Sequence, residues 1–503
     1  MSKQITVTVN GKPRLAVAGL SVSEITGGEK PCGGHGRCGK CKVIAKGCLS
    51  ELTEAEKKLL TEDELADGVR LACLTYALGD CEVTTLSENE RAQIVTDGTL
   101  PEFEVKPTFA KYGVAIDIGT TALAARLYDT RGGLLAQSSR INPQQEWGAD
   151  VISRIEAAIG GKARELARAI RQALDGIVSE LGSVAKIDTK EIDGVVITGN
   201  TIMLSLLTEE SVEPFSHAPF ETRRLFGEML TASGLALSRL TPNTPIYLPP
   251  CISAFVGADT TCALLSTELC EGDTAMMADI GTNGEMALWH DGRLTVCSTA
   301  AGPAFEGVGI SMGMRGADGA IDKVSIVNGR LYAHVIGDGA PTGICGSGLV
   351  DAVACMLDLE IVDDSGYLED DEFIIQAPVY LTPKDIRMLQ LAKSAICAGI
   401  VTLAESKGMK AADISALYIA GGFGNYLNKE SASRIGLLPS DLVQCSRSVG
   451  NAALAGASML LLNTDIRVKA MNISKSAEVI DLSVNPRFSD RDMSGMMLEE
   501  ICI

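Results

Sequence analysis

The sequence predicts an α/β protein: a small N-terminal domain of strands, a linker, and a duplicated, two-halved α/β core. Three observations predict it. Residues 5–86 alternate like strands around a single helical stretch. The string Asp-Ile-Gly-Thr occurs twice, beginning at Asp117 and at Asp279. The 46% apolar content is carried mostly by Ala, Val, Leu and Ile, with 52 glycines and only 4% aromatic residues, which favours α/β layers over an aromatic-rich sandwich. At 503 residues the chain exceeds one core and divides into 1–86, a linker at 87–112, and half-domains at 113–272 and 273–503, the last with a C-terminal extension.

Charge excludes some partners. The chain carries −20, from 44 Lys+Arg against 64 Asp+Glu, while residues 1–86 hold eleven of each, so the acidity lies downstream. With no block of basic residues, neither nucleic acid nor an anionic membrane is an expected partner. The apolar run Ala452–Leu462 is too short to span a bilayer. The start MSKQITVTVNGK has no apolar signal core, so a cytoplasmic protein is expected. Its fifteen cysteines are then mostly buried thiols, apart from any that bind metal.

The N-terminal elements follow in order. Ile5–Val9 and Arg14–Val17 read as a hairpin around Asn10-Gly11. Next comes a loop with C-x5-C-x2-C spacing, Cys32, Cys38 and Cys41, followed later by Cys73. Gly33, Gly34, Gly36 and Gly39 permit the tight turns that aim backbone N–H groups at sulfide. Glu51–Leu65 reads as helical, with Thr53 as N-cap and Glu56 three residues on. Cys81 to Thr85 closes as a strand. This is the order of a β-grasp ferredoxin, and four thiolates around two irons make a [2Fe–2S] site; the five-residue first gap resembles the adrenodoxin-like branch. A zinc ribbon would present two close C-x2-C pairs, where this chain has one. Cys48 and Cys81 rival Cys73 as fourth ligand; Cys73 is preferred because Cys81 sits inside the strand pattern. His35 lies in the same loop and is read as solvated.

The second chemistry is split. Tyr112 to Asp117, the turn Gly119-Thr120-Thr121, and Ala122 to Tyr128 read as strand, tip and strand. The second copy has Asp279, then Gly281-Thr282-Asn283-Gly284-Glu285, then Met286 to Trp289. A triphosphate between two such hairpins receives N–H and hydroxyl donors from both sides, while Asp117 and Asp279 hold Mg²⁺ through water. Glu285 either orients water or caps the turn. A third element, Gly421-Gly422-Phe423-Gly424-Asn425, follows a β-like run and lets backbone approach an adenosine closely. No Walker loop is present. Asp259 reads as a helix N-cap, with water positioning the lesser role; Gly199-Asn200 reads as a connection between halves, and Gly450 to Gly456 as a close helix crossing. Cys345 reads as a buried loop thiol. Met312 and Met314 read as core filling, and Met493, Met496 and Met497 as contact surface.

In this order the three elements resemble the acetate/sugar kinase, heat-shock chaperone and actin superfamily, whose ribonuclease H-like halves close on ATP. Joined to a [2Fe–2S] domain, they resemble the reductive activators of corrinoid proteins. That likeness extends to Leu248–Asp259, Ser298–Gly307 and Gly343–Asp351. Asp117 follows soon after the ferredoxin segment, leaving little room for the extra domain of larger members. The resemblance implies ATP-dependent reduction of Co(II) to Co(I) in a partner: a corrinoid-carrying methyltransferase protein. None of His35, His217, His290 and His334 sits in a D-x-H-x-x-G signature, so the corrinoid is expected on that partner. The reductant is left unidentified and a homodimer open. The alternatives are an ATP-driven donor to another low-potential metalloenzyme, of the 2-hydroxyacyl-CoA dehydratase or benzoyl-CoA reductase activator type, and a redox-gated nucleotide-dependent binding module. The first carries its cluster cysteines inside the ATPase core, whereas here they precede it. A small-molecule kinase leaves the ferredoxin segment unexplained.

Overall fold

The computed structural model describes residues 4–9, 12–26, 36, 39, 41–85, 98, 100–220, 222 and 224–503. They form two compact units, 1–90 with 143–169, and 91–142 with 170–503.

In the first unit β1 (Gln4–Val9) pairs antiparallel with β2 (Lys12–Val17); the predicted turn Asn10-Gly11 lies outside the described residues. With β3 (Lys42–Leu49), β4 (Val69–Leu71) and β5 (Ala77–Thr85) they make a sheet of order β2-β1-β5-β3-β4. The first and last long strands, β1 and β5, lie parallel at its centre. That is the expected β-grasp arrangement. Period-two alternation puts Ile5, Val7 and Val9 on one face, where they pack with Val22, Val43, Ala45 and Val83. The single helix expected over Glu51–Leu65 is two, Glu54–Leu59 and Glu62–Ala66. Two successive capping pairs cause the break. Thr53 and Glu56 cap the first helix reciprocally, Leu60 turns extended, and Thr61 and Glu64 repeat the exchange at 3.0 and 3.2 Å.

The second unit holds two six-stranded sheets of matching design. In the first, β6 (Tyr112–Ile118), β7 (Ala122–Asp129) and β8 (Leu134–Ile141) form a meander. Beside it lie β9 (Ile192–Gly199), β10 (Phe226–Thr231) and β11 (Pro245–Pro250), in the order β10-β11-β9-β6-β7-β8. In the second, β12 (Ala275–Ile280), β13 (Gly284–His290) and β14 (Arg293–Thr299) repeat the meander. Between this meander and the rest of its sheet lies a small insertion: a three-stranded sheet of β15 (Ala320–Val327), β16 (Arg330–Val335) and β17 (Gly343–Ile344), and a hairpin of β18 (Phe373–Gln376) and β19 (Val379–Leu381). The main sheet then adds β20 (Ala416–Ala420), β21 (Ser446–Gly450) and β22 (Glu478–Ile480), in the order β21-β20-β12-β13-β14-β22. Each meander thus has two parallel strands beside its first strand, as a duplicated ribonuclease H-like core requires.

A shared core joins the sheets, including Ala115 and Val196 from one and Met277 and Ala287 from the other. Helices Ala258–Ser266 and Ala452–Leu462 cross within it. A Cβ at Gly456 would overlap the Cys262 carbonyl, so the crossing depends on glycine, in line with the close packing expected there. Residues 100–112 include Phe109, 4% exposed, whose ring occupies the space a side chain at Gly113 would need. Helix Pro383–Ser406 is long and apolar enough to cross a membrane, but 83% of its most apolar stretch is buried, as in a core helix.

Candidate active site

The two meanders aim their first hairpins at one cleft of about 320 Å³. Asp117 is the last but one residue of β6 and Asp279 of β12, and both line it. The tips contribute Gly119, Thr120 and Thr121 from one side and Gly281, Thr282 and Asn283 from the other. Gly421 and Gly422 form a third wall. Gly421 has φ +93°, and a Cβ there would come within 2.7 Å of Asp279 Oδ1, so glycine is required twice over.

Three predicted residues lie off the lining. The second hairpin is tighter than the first: Ile280 pairs with Gly284, whereas Ile118 pairs with Leu123. Gly284 is therefore a strand residue instead of a phosphate-contacting tip, and a Cβ on it would overlap Ile396 of the core. Gly424 packs against the end of β20, where a Cβ on it would come within 2.9 Å of the Ala420 carbonyl oxygen, and Asn425 is exposed to solvent. The same tight turn sets Glu285 opposite Asp279, buried and facing the cleft, which removes the turn-capping reading.

Several lining residues escaped the sequence reading. Helix Ala258–Ser266 begins after Gly257, so Asp259 is not its N-cap; it lies in the first turn and faces Asp117 and Asp279. Asn200 caps helix Thr201–Thr208 and donates to Thr120 Oγ1 at 3.1 Å. Asn451 caps helix Ala452–Leu462 and donates to Asp117 Oδ2 at 3.0 Å. Both sit in a strand–Gly–Asn–helix string, and that repeated Gly-Asn pair is the signal that identifies them. Glu306 accepts the Thr282 hydroxyl at 2.9 Å. Phe305 and Phe423, both in the lining, stack at 4.5 Å and 17°. Cys345 is buried as expected, but it too lines the cleft, 3.3 Å from Ser347 Oγ.

The electrostatics are those of a site built for a cation. Burial raises Asp117 to about 7, against the pull of Asn451, with Asp259 and Asp279 adding repulsion. Burial and Asp259 raise Asp279 to about 7. Asp259 reaches about 6, again by burial. Glu285 is pushed well above the carboxylate range by burial and by both aspartates. A hydrated divalent cation would relieve this repulsion. Among the described residues no three His, Cys, Asp or Glu side chains converge as direct metal ligands.

In the ferredoxin-like unit Cys41 and Cys73 bring their sulfurs to 3.2 Å; Cys32, Cys38 and His35 lie outside the described residues. Gly36 and Gly39 have φ +63° and +68°, the left-handed turns expected of the loop. Cys41 directly precedes β3, whereas Cys48 is near its far end, roughly 20 Å away at strand rise. Cys81 pairs opposite Gly47 at that far end. Donor chemistry and geometry at Cys41 and Cys73 therefore fit the [2Fe–2S] group, and Cys48 and Cys81 lie away from it. Glu56 anchors the Cys73 turn, accepting the Leu71 N–H and the Thr75 hydroxyl, each at 3.1 Å.

Fold and cleft define a class: a ferredoxin-like domain on a duplicated α/β core of the nucleotide-clamping kind. Residues 273–501 match the family model described as the C-terminal, ASKHA domain of RACo, and residues 112–272 match the RACo middle region. Corrinoid activation enzyme RamQ of Eubacterium limosum is 35% identical over 453 residues, covering 83% of this chain and 76% of that protein. The reductase of the Co(II) methylated amine-specific corrinoid protein of Methanosarcina barkeri is 27% identical, covering 72% of each. A solved structure of a reductive activator for corrinoid, iron-sulfur protein superposes with a TM-score of 0.72 at 27% identity, over 99% of this chain and 98% of that one. The chain belongs to the RACo family of reductive activators of corrinoid proteins, with an ASKHA core.

Proposed function

We propose that this chain is an ATP-dependent reductive activator that passes one electron to the Co(II) of a corrinoid on a methyltransferase-system protein, giving Co(I). The carrying observation is the buried Asp117–Asp259–Asp279 cluster under two Gly-Thr hairpins, on the same chain as the converging Cys41 and Cys73 thiols. The half-domains 113–272 and 273–503 enclose the nucleotide, with 87–112 as the linker to the cluster domain.

When bound by Cys32, Cys38, Cys41 and Cys73, the [2Fe–2S] cluster supplies the single electron. The chain's residues handle ATP. Gly119, Thr120, Thr121, Gly281, Thr282 and Asn283 donate to phosphate oxygens. Asp117 and Asp279 hold the water shell of Mg²⁺, with Asn451 orienting Asp117. Gly421 and Gly422 let the adenosine approach the backbone, beside the ring of Phe423. Glu285 lies beside the aspartate cluster, where burial and the neighbouring Asp259 and Asp279 push its carboxyl above the ordinary carboxylate range. ATP is needed because the electron runs uphill. A plant-type cluster sits near about −400 mV, and each 100 mV uphill costs one electron about 2.3 kcal/mol. Nucleotide binding that discriminates between docked states offsets that cost.

The test mixes the anaerobically purified, reduced protein with a Co(II) corrinoid methyltransferase partner, with and without Mg-ATP, and follows the cobalt absorption bands. Co(I) is expected only with ATP, and is lost in Cys41→Ala and in Asp279→Ala. ATP hydrolysis with no Co(I) in any of several partners would overturn the corrinoid assignment and favour another low-potential acceptor. A protein that clamps a client without turning over ATP in either redox state would be the binding module instead.

A further inference from the structure

We infer that Asp322 accepts hydrogen bonds from the ribose hydroxyls of the nucleotide and so selects a ribonucleotide over its deoxy counterparts. The inference rests on the nucleotide-binding reading above and names a specificity residue outside the two hairpins and the glycine loop. Asp322 belongs to the insertion of the second half, which supplies a further wall of the cleft. That wall holds Asp322 on β15, Ile336 just after β16, and Gly346 and Ser347 at the start of helix Gly346–Asp358.

The strand turns this one side chain toward the cleft. Ile321 pairs with Val335 and Lys323 with His334, so two steps along β15 match one along β16. Asp322 is the extra residue of that bulge, and a bulge re-aims a side chain that strict alternation would send elsewhere. Ile321 is fully buried and Lys323 exposed, while Asp322 lines the cleft with 19% of its side chain accessible. Its Oδ1 lies 2.5 Å from His334 Nδ1, which fixes the orientation of the group. An ionised carboxylate has about four acceptor positions, so that contact leaves capacity for a ligand.

Two observations put Asp322 at the nucleoside end and away from the cation. A run of contacts leads to it from the glycine loop. Phe423 stacks on Phe305, a Cβ on Gly346 would overlap the Phe305 carbonyl oxygen, and Ser347 Oγ donates to the Asp322 carbonyl oxygen at 2.9 Å. Phe305 also precedes Glu306, which accepts the Thr282 hydroxyl of the phosphate hairpin. The insertion wall therefore reaches from the base end to the phosphate end, and ribose is what joins them. The second observation is electrostatic. Asp117, Asp279 and Glu285 feel the charges of Asp259 and Asp279, whereas the charge of Asp322 acts on Cys345 and Asp351. Chemistry then selects the group it meets: a carboxylate repels phosphate oxygens and accepts readily from ribose hydroxyls.

The test measures by calorimetry, on the full chain, the affinities for Mg-ATP, Mg-2′-deoxy-ATP, Mg-3′-deoxy-ATP and magnesium tripolyphosphate. Wild type is expected to bind ATP about tenfold or more tighter than at least one deoxy analogue, through one hydrogen bond to a charged group. In Asp322→Ala that preference should narrow to within about threefold, because ATP weakens more than the analogue. Tripolyphosphate has no ribose and should bind both proteins within about twofold of each other. If the alanine variant fails to fold, Asp322→Asn, which keeps the size and exchanges an acceptor oxygen for an amide donor, is read in the same way. Equal binding of ATP and both deoxy analogues by wild type would overturn the assignment. So would a preference that survives the substitution, or a loss of tripolyphosphate binding in step with ATP. If the wild-type chain binds neither ATP nor tripolyphosphate, the nucleotide reading itself falls, a failure distinct from a failure at Asp322 alone.

Discussion

Glu56 shows how much one side chain can decide. It is fully buried, and burial alone would raise its carboxyl. The Arg70 guanidinium at 2.9 Å and the N–H groups of Thr53 and Leu71 outweigh that and hold it near about 2 instead of 4.5. The depression corresponds to roughly 3 kcal/mol of folding free energy. Because the folded value is the lower one, that stability is complete above pH 4.5 and is lost as pH falls toward 2. Hydrogen-exchange protection over residues 69–75 reads it directly. Glu56→Gln should lower protection at pH 7 by about a hundred-fold. Only the wild type should then lose protection between pH 4.5 and 2; matching pH dependences in both proteins would exclude the mechanism. The Thr53–Glu56 capping box is legible in the sequence, three residues apart. The partners Arg70, Leu71 and Thr75 are 14 to 19 residues away and were not.

At the scale of elements, periodicity and turn chemistry were good guides, and close packing set the exceptions. The helix Ala452–Leu462 illustrates the competition. Helix propensity says Gly456→Ala should stabilise by about 1 kcal/mol. The crossing with Ala258–Ser266 says the reverse, since the added methyl would overlap backbone that has no room to yield. Overpacking costs about 1–3 kcal/mol or more, so packing wins. A lower melting temperature is therefore expected for Gly456→Ala in thermal unfolding, and a higher one would mean the crossing is looser than described. Hairpin tips follow the same logic. Both contain Asp-Ile-Gly-Thr, yet the second closes one residue sooner, and that shift turns Gly284 from tip to strand and brings Glu285 to the cleft.

For the whole molecule, the consequence of duplication is a ligand-binding cleft lined by groups from both sheets, with its acidic cluster enclosed among them. A ligand that binds the folded chain alone stabilises it by mass action, by about 2.7 kcal/mol at a hundred-fold excess over Kd. Mg-ATP should accordingly raise the melting temperature of the core by several degrees. ATP with a chelator should do less, because the crowded carboxylates then lack their cation. Equal shifts with and without Mg²⁺ would count against Asp117 and Asp279 as holders of its water shell.

What the sequence determined by itself was local or repeated. Cysteine spacing with turn glycines, the two Asp-Ile-Gly-Thr strings, strand alternation and the capping box all depend on residues within a few positions of one another, and they sufficed for the fold class and the site's outline. Tertiary structure alone decided which carboxylates share the cleft, which thiols meet, and where a helix tolerates only glycine. Asp117 meets Asn451 across 334 residues, and Glu306 meets Thr282 across 24. Such pairs carry no spacing rule, because they come together only when sheets pack and a buried polar group must find whichever partner the packing brings within reach.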